Sequence, residues 1–207
     1  MSYNVCYVGD IDGNELYMFN LIIWSLPELK HCFFIPCDSH GLQLLIKDLL
    51  ELPCYREIHN KVQTIVKAFV NTPLQLSRLR QCQLQLYGRK KALVLSVITR
   101  WGTNYRQAES VYENKDILKL FAMDPLSDEL NSSAHEYIRD PMFWVQLDTL
   151  RELLQPIDKA LKMSERDKGD LGRVIPRWEQ IHMHLDRVKE SSPDLADFMK
   201  LGGMFLA

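Results

Sequence analysis

Residues 35–53 read IPCDSHGLQLLIKDLLELP, and the fold turns on this stretch. Leu42, Leu44, Leu45, Leu49 and Leu50 recur at the spacing of one helical face. Ser39 stands where an N-cap belongs, and Pro53 ends the run. Immediately upstream, CFFIP (residues 32–36) is short, apolar and β-prone, as a buried strand would be. Farther upstream, YNVCYVG (residues 3–9) reads as another strand that reaches a loop at Asp10. Between them, Leu16, Phe19, Leu21, Ile22, Ile23 and Leu26 mark a helix over 14–26 that Pro27 stops. Strand, helix, strand, helix with short links predicts a βαβ piece of an α/β sheet.

Beyond Pro53 the pattern becomes helical. Apolar spacing, capping residues and N1 prolines predict helices over 55–71, 73–86, 104–122, 124–137, 141–163, 170–189 and 193–205. Residues 89–100, RKKALVLSVITR, interrupt them with a β-branched stretch expected to be extended, and SERDKGDL (164–171) reads as a polar loop. The expected class is α+β and mainly α, with a small α/β piece over residues 1–53 and an all-helical region over 54–207. Two strands are few for a sheet that must bury both faces, so the α/β piece is expected to be part of a larger sheet.

Composition narrows the function classes. The 207 residues are 46% apolar and 25% charged, ample for a packed core. Five cysteines at irregular spacing are no disulfide framework. The longest apolar-rich run, residues 16–26, is about half of what a membrane span needs, and no secretory signal pattern opens the chain. A soluble, intracellular, reduced protein that engages no membrane is the expectation. No GxSxG, P-loop or GxGxxG motif occurs, so those chemistries have no support.

The net charge of −2 hides a segregation. Residues 58–108 hold no Asp or Glu but carry Lys61, Lys67, Arg78, Arg80, Arg89, Lys90, Lys91, Arg100 and Arg106. That segment is +9, leaving −11 for the remainder. Such separation suits a polyanion-binding face; the rival reading is a basic segment neutralised by acidic flanking helices.

Three motifs have both a chemical and a plain structural reading. Asp10, in GDIDGN (residues 9–14), lies where a strand would end, a place suited to a magnesium ligand and equally to an ordinary turn. Cys37 and His40 form a CxxH pair, two of the four ligands a zinc site needs, or simply the start of a helix. Arg100 and Trp101 close the basic segment; they suit a phosphate and an unstacked base, or a tryptophan anchoring a loop.

Taken in order, GDIDGN, IPCDSHGLQLLIKDLLELP, VITRWGTNYRQAESVYENKDILKLF (97–121) and DPMFWVQLDTLRELLQPIDKAL (140–161) resemble the hAT superfamily of cut-and-paste transposases and their domesticated relatives. The resemblance covers most of residues 9–161. It implies a ribonuclease-H-like catalytic core over 1–53, in part, interrupted by a helical insertion domain over 54–207. It implies that Asp10 matches the second catalytic Asp and metal ligand, with Asn14 the Asn that follows it. Cys37 and His40 match a CxxH near the transposon end, and Arg100 and Trp101 a pair that handles a flipped base at a hairpin. Arg78, Arg80, Arg89, Lys90 and Lys91 join them as expected DNA contacts. The partner so implied is DNA, as transposon or hairpin-like ends, with self-association besides, and the location the nucleus. The cofactor implied is Mg2+ or Mn2+. The family's first Asp and final Glu find no match, and one Asp does not hold two metal ions, so neither metal retention nor nuclease or strand-transfer activity is expected of this chain alone. The alternative is a helical protein-interaction module or a relic.

Overall fold

The computed structural model describes residues 4–7, 25, 32–35, 37–96, 103–124, 130–165 and 171–202. Two short strands, β1 (Asn4–Tyr7) and β2 (Cys32–Ile35), pair in parallel with Asn4 opposite Cys32 and Tyr7 opposite Ile35. Both strands expected from sequence are thus present. The connecting helix expected over 14–26 lies outside the described residues, apart from Ser25. No third strand joins the pair among the described residues, so they do not display a ribonuclease-H-like sheet.

Everything else is helical or irregular. The α-helices are α1 (Asp38–Glu51), α2 (Pro53–Val70), α3 (Pro73–Tyr87), α4 (Thr103–Glu113), α5 (Lys115–Phe121), α6 (Ser132–Arg139), α7 (Pro141–Ser164), α8 (Val174–Val188) and α9 (Pro193–Gly202). Prolines set several of the borders. Pro53, Pro73 and Pro141 open helices, where the missing N–H costs nothing and φ is already suitable. The residue before a proline is pushed out of the helical region. Leu52 is accordingly extended (φ −62°, ψ 133°), so it ends α1 and begins α2 at a single residue. Asp140 does the same between α6 and α7, and its carboxylate accepts the Met142 N–H at 2.8 Å. Gly88 ends α3 at φ +66°, a conformation other residues adopt only with strain.

Helix α7 is the hub. It buries Phe143, Trp144, Leu147, Leu150, Leu153, Leu154, Ile157 and Leu161, and packs against α1, α2, α4, α6 and α8. Helix α1 enters the same core through Leu42, Ile46, Leu49 and Leu50, and Phe69 of α2 meets Phe121 of α5 edge-on, centroids 5.2 Å apart. Pro156 lies inside α7. It supplies no N–H to the Glu152 carbonyl four residues earlier, and the His184 imidazole of α8 lies against the Glu152 and Leu153 carbonyls.

Four expected boundaries are corrected. Ser39 is not the cap of α1; Cys37 is, extended and without a side-chain capping bond, and Ser39 lies within the first turn. The single helix over 104–122 is two, because buried Asn114 leaves helical geometry (φ −97°, ψ 8°) to spend its amide on neighbours. The helix expected from 124 begins at Ser132, where the Asn131 side chain accepts the Ala134 N–H at 3.1 Å. The helix expected from 170 opens with a 3-10 turn, Leu171–Arg173, and becomes α-helical at Val174.

Candidate nucleic-acid interface

The CxxH run is held by contacts from the far end of the chain. Trp178 donates its indole N–H to Asp38 Oδ1 at 2.8 Å, and Arg177 Nη1 donates to Asp38 Oδ2. Both charged side chains are largely buried, 10% and 13% exposed, so the pair is shielded from water. A methyl group on Gly41 would sit 3.2 Å from the Trp178 ring, tighter than ordinary contact, so the indole lies close against this turn. Within the turn, Cys37 Sγ and Ser39 Oγ are 3.0 Å apart. Cys37 and His40 are both half-buried. The described residues contain no group of three or more His, Cys, Asp or Glu side chains placed to hold a metal, so the zinc reading finds no ligand set there. Asp10, the expected magnesium ligand, lies outside them. No step through a metal follows from the described residues.

The basic segment runs along α2, α3 and the connection to α4. Lys61 is tied to Glu57 at 2.6 Å and leans on the Tyr137 ring, while Lys67 reaches Gln63 at 3.4 Å. Arg78 is half-buried on α3. Arg80 on α3, Arg89 and Lys90 just past Gly88, and Arg106 on α4 are exposed and make no ion pair among the described residues. Lys91 is partly occupied: its ammonium donates to the Glu113 carbonyl at 3.0 Å and lies 4.5 Å above the Tyr87 ring.

Three of the acids on α4 and α7, Glu109, Asp148 and Asp158, have partners of their own. Arg151 of α7 binds Glu109 and Asp148, each at 2.6 Å, and stacks 3.7 Å over the Tyr112 ring. Asp158, buried in α7, is paired with Lys162. Neither Arg151 nor Lys162 belongs to the basic segment, so these acids do not neutralise it.

Sequence reading missed the device that fixes the connection after α3. Residues 90–96 form neither helix nor strand, and a chain of buried polar side chains holds them. Gln83 Nε2 donates to the Lys91 carbonyl and to Asn114 Oδ1, both at 2.7 Å, while its Oε1 accepts the Lys91 N–H at 3.3 Å. Asn114 Nδ2 donates to the Ser110 carbonyl at 2.7 Å, and Ser110 Oγ accepts the Val94 N–H at 3.0 Å. Gln83, Ser110 and Asn114 are each 5% exposed or less, where an unsatisfied amide or hydroxyl would be costly; mutual bonding removes that cost. At the end of the described stretch, Gln63 Nε2 reaches Ser96 Oγ at 3.5 Å and His59 Nε2 at 2.9 Å. Arg100 and Trp101 follow outside the described residues, and Thr103 opens α4.

The described residues thus bring Arg89, Lys90 and Lys91 to the exit of α3, place Arg80 higher on that helix, and seat Cys37 and His40 at the start of α1. Polar residues at helical spacing (Gln83; Ser110 and Asn114, four apart) were the available signal for the missed network. The Arg177 and Trp178 contacts had none.

The comparisons agree with this helical architecture. The family model for the ZBED1 RNase-like helical domain matches residues 35–139, just over half of the chain. No curated protein and no solved structure gives a significant match. The matched span begins at the last residue of β2, takes in α1 to α6, and includes the whole basic connection. The chain belongs to the ZBED1 RNase-like helical domain family, and with it to the hAT/ZBED group of transposase-derived proteins.

Proposed function

We propose that this chain is a hAT-derived DNA-binding fragment that engages phosphates through Arg80, Arg89, Lys90 and the neighbouring cations of the basic segment. One observation carries the reading: Glu109, Asp148 and Asp158 are paired with Arg151 and Lys162, while Arg80, Arg89 and Lys90 stand exposed with no ion pair among the described residues. Family membership adds a context in which DNA is the natural partner. Arg78, Lys91 and Arg100 extend the phosphate contacts, Trp101 stacks an extruded base, and Cys37 and His40 lie near the DNA end. A nuclear location goes with that role.

The same reading assigns no nuclease or strand-transfer activity to this chain alone. Two-metal phosphoryl transfer needs several carboxylates converging on two ions about 4 Å apart. Asp10 resembles one such ligand, in what would be part of a ribonuclease-H-like core around β1 and β2. Magnesium-dependent nicking abolished by Asp10→Asn would contradict this assignment.

Fluorescence anisotropy of the chain against a DNA hairpin and a plain duplex tests the proposal. Salt-sensitive binding that prefers the hairpin and weakens in Trp101→Ala is the expected result. No binding at low salt refutes it.

A further inference from the structure

Next to the proposed DNA contacts, the described surface has a groove with an apolar floor. It lies between the end of α3 and the length of α5, lined by Leu86, Tyr87, Asp116, Lys119, Leu120 and Met123. Leu86 is 48% exposed, Leu120 53% and Met123 78%, three neighbouring large apolar side chains facing water. Apolar exposure gathered in one groove marks a binding surface, whereas single scattered residues do not.

The groove's charge indicates what fits it. Lys119 lies in the lining, Lys91 projects over the Tyr87 ring, and Arg89 and Lys90 are two and three residues past Tyr87. Against these four cations stand Asp116 in the lining, the exposed Glu113, and the exposed Asp124 next to Met123, leaving a small positive excess. The floor is ill-suited to nucleobases. Leucine and methionine offer no stacking platform, and Lys91 already lies over the Tyr87 ring. We infer that the groove docks an acidic amphipathic helix of a partner protein, its leucine-type side chains on Leu86, Leu120 and Met123 and its carboxylates on Lys119, Arg89 and Lys90. Apolar anchors in a groove with a charged rim are the usual mode for helix-in-groove recognition. The interaction shares Arg89 and Lys90 with the proposed DNA contacts but rests on Leu86, Leu120 and Met123, so it does not depend on DNA binding.

The test uses a fluorescent peptide of about 15 residues with Leu at i, i+3, i+4 and i+7 and Glu elsewhere, beside a copy with Lys for Glu. The Glu peptide is expected to bind the full chain, and the Lys peptide at least about tenfold more weakly. Leu120→Glu and Met123→Glu should each weaken the Glu peptide by roughly tenfold, the effect of forfeiting one half-buried leucine-sized contact. Both side chains are exposed, so unchanged circular dichroism and Tm will show that folding is intact. Lys119→Glu should weaken the Glu peptide and strengthen the Lys peptide, a reversal that loss of folding cannot produce. Failure of the Glu peptide to bind, equal binding of both peptides, or indifference to Leu120→Glu overturns the inference. So does a Leu120→Glu variant that loses duplex DNA as strongly as peptide, which would make the groove a nucleic-acid surface. A dimer in sedimentation that Leu120→Glu dissolves, with no peptide binding, would give it to a second copy of the chain and also refute the inference.

Discussion

The indole N–H of Trp178 bonds Asp38 Oδ1 at 2.8 Å across 140 positions of sequence. With Arg177 on the other carboxylate oxygen, this contact fastens α8 to the first turn of α1, the turn that carries Cys37 and His40. Removing one member strands the other in a largely dry place. Asp38→Ala is expected to cost about 3 kcal/mol by denaturant unfolding. Gly41→Ala should change stability far less than this, because the displacement of the ring 3.2 Å away is offset by the roughly 1 kcal/mol that alanine gains over glycine inside a helix. An Asp38→Ala protein as stable as the original would contradict this fastening.

The Gln83–Asn114–Ser110 network makes a second prediction. Asn114→Ala leaves Gln83 and the Ser110 carbonyl short of partners and should cost about 1–3 kcal/mol. Adding Gln83→Ala should cost clearly less than the sum of the two singles, because both remove the same bond. Faster amide exchange in either variant at Lys91, whose N–H bonds Gln83, would accompany the loss. Strict additivity would contradict the network.

Burial holds the imidazoles of His59 and His184 below the ordinary histidine value of 6.5, with Lys67 pressing on His59 and Arg187 on His184 in the same direction. The unfolded chain therefore binds protons that the folded chain refuses, so stability is full above about 6.5 and declines as pH falls through and below it. At His59 the effect reaches the basic connection. A protonated ring cannot accept from Gln63 Nε2, which also reaches Ser96. Thermal unfolding followed from pH 7.5 to 5 should show a falling Tm, and His59→Gln should flatten the decline. A Tm that rises on acidification would refute this.

How much of this was legible beforehand depended on range. Prolines act on their own and the preceding residue, so Pro73 and Pro141 marked helix starts correctly, while Pro53, read only as a stop, also opens α2. Periodicity named Leu42, Leu49 and Leu50 as a buried face correctly, but it also included Leu44, which is exposed, and passed over Ile46, which is buried. Local cues failed where a distant group competed. Asn114 breaks a helix that reads as continuous because Gln83, 31 residues away, claims its amide. The +9 segment was legible as charge, but that Glu109, Asp148 and Asp158 do not neutralise it depended on Arg151 and Lys162 of α7. Asp38 read as filler in a CxxH motif, and its partners lie 139 and 140 positions downstream. Asp10, Arg100 and Trp101, the three residues most tied to the family's chemistry, fall outside the described residues.

Exposed cations off the core should change binding without changing folding. Arg80→Ala, Arg89→Ala and Lys90→Ala, alone or combined, are expected to leave Tm within about a degree or two of the original, since surface substitutions of this kind rarely exceed ±0.5 kcal/mol. A large drop in Tm would mean that these side chains are structural.

The most direct test of the DNA-binding claim is the affinity for a DNA hairpin measured across a salt series, for the original chain and for the combined Arg80→Ala, Arg89→Ala, Lys90→Ala variant. Three phosphate contacts contribute about −2.7 to the slope of log K against log salt. A steep negative slope for the original chain, reduced by about that amount in the variant, is the result predicted. Binding that ignores salt, or a slope unchanged by the three substitutions, would contradict a DNA-binding face at the exit of α3.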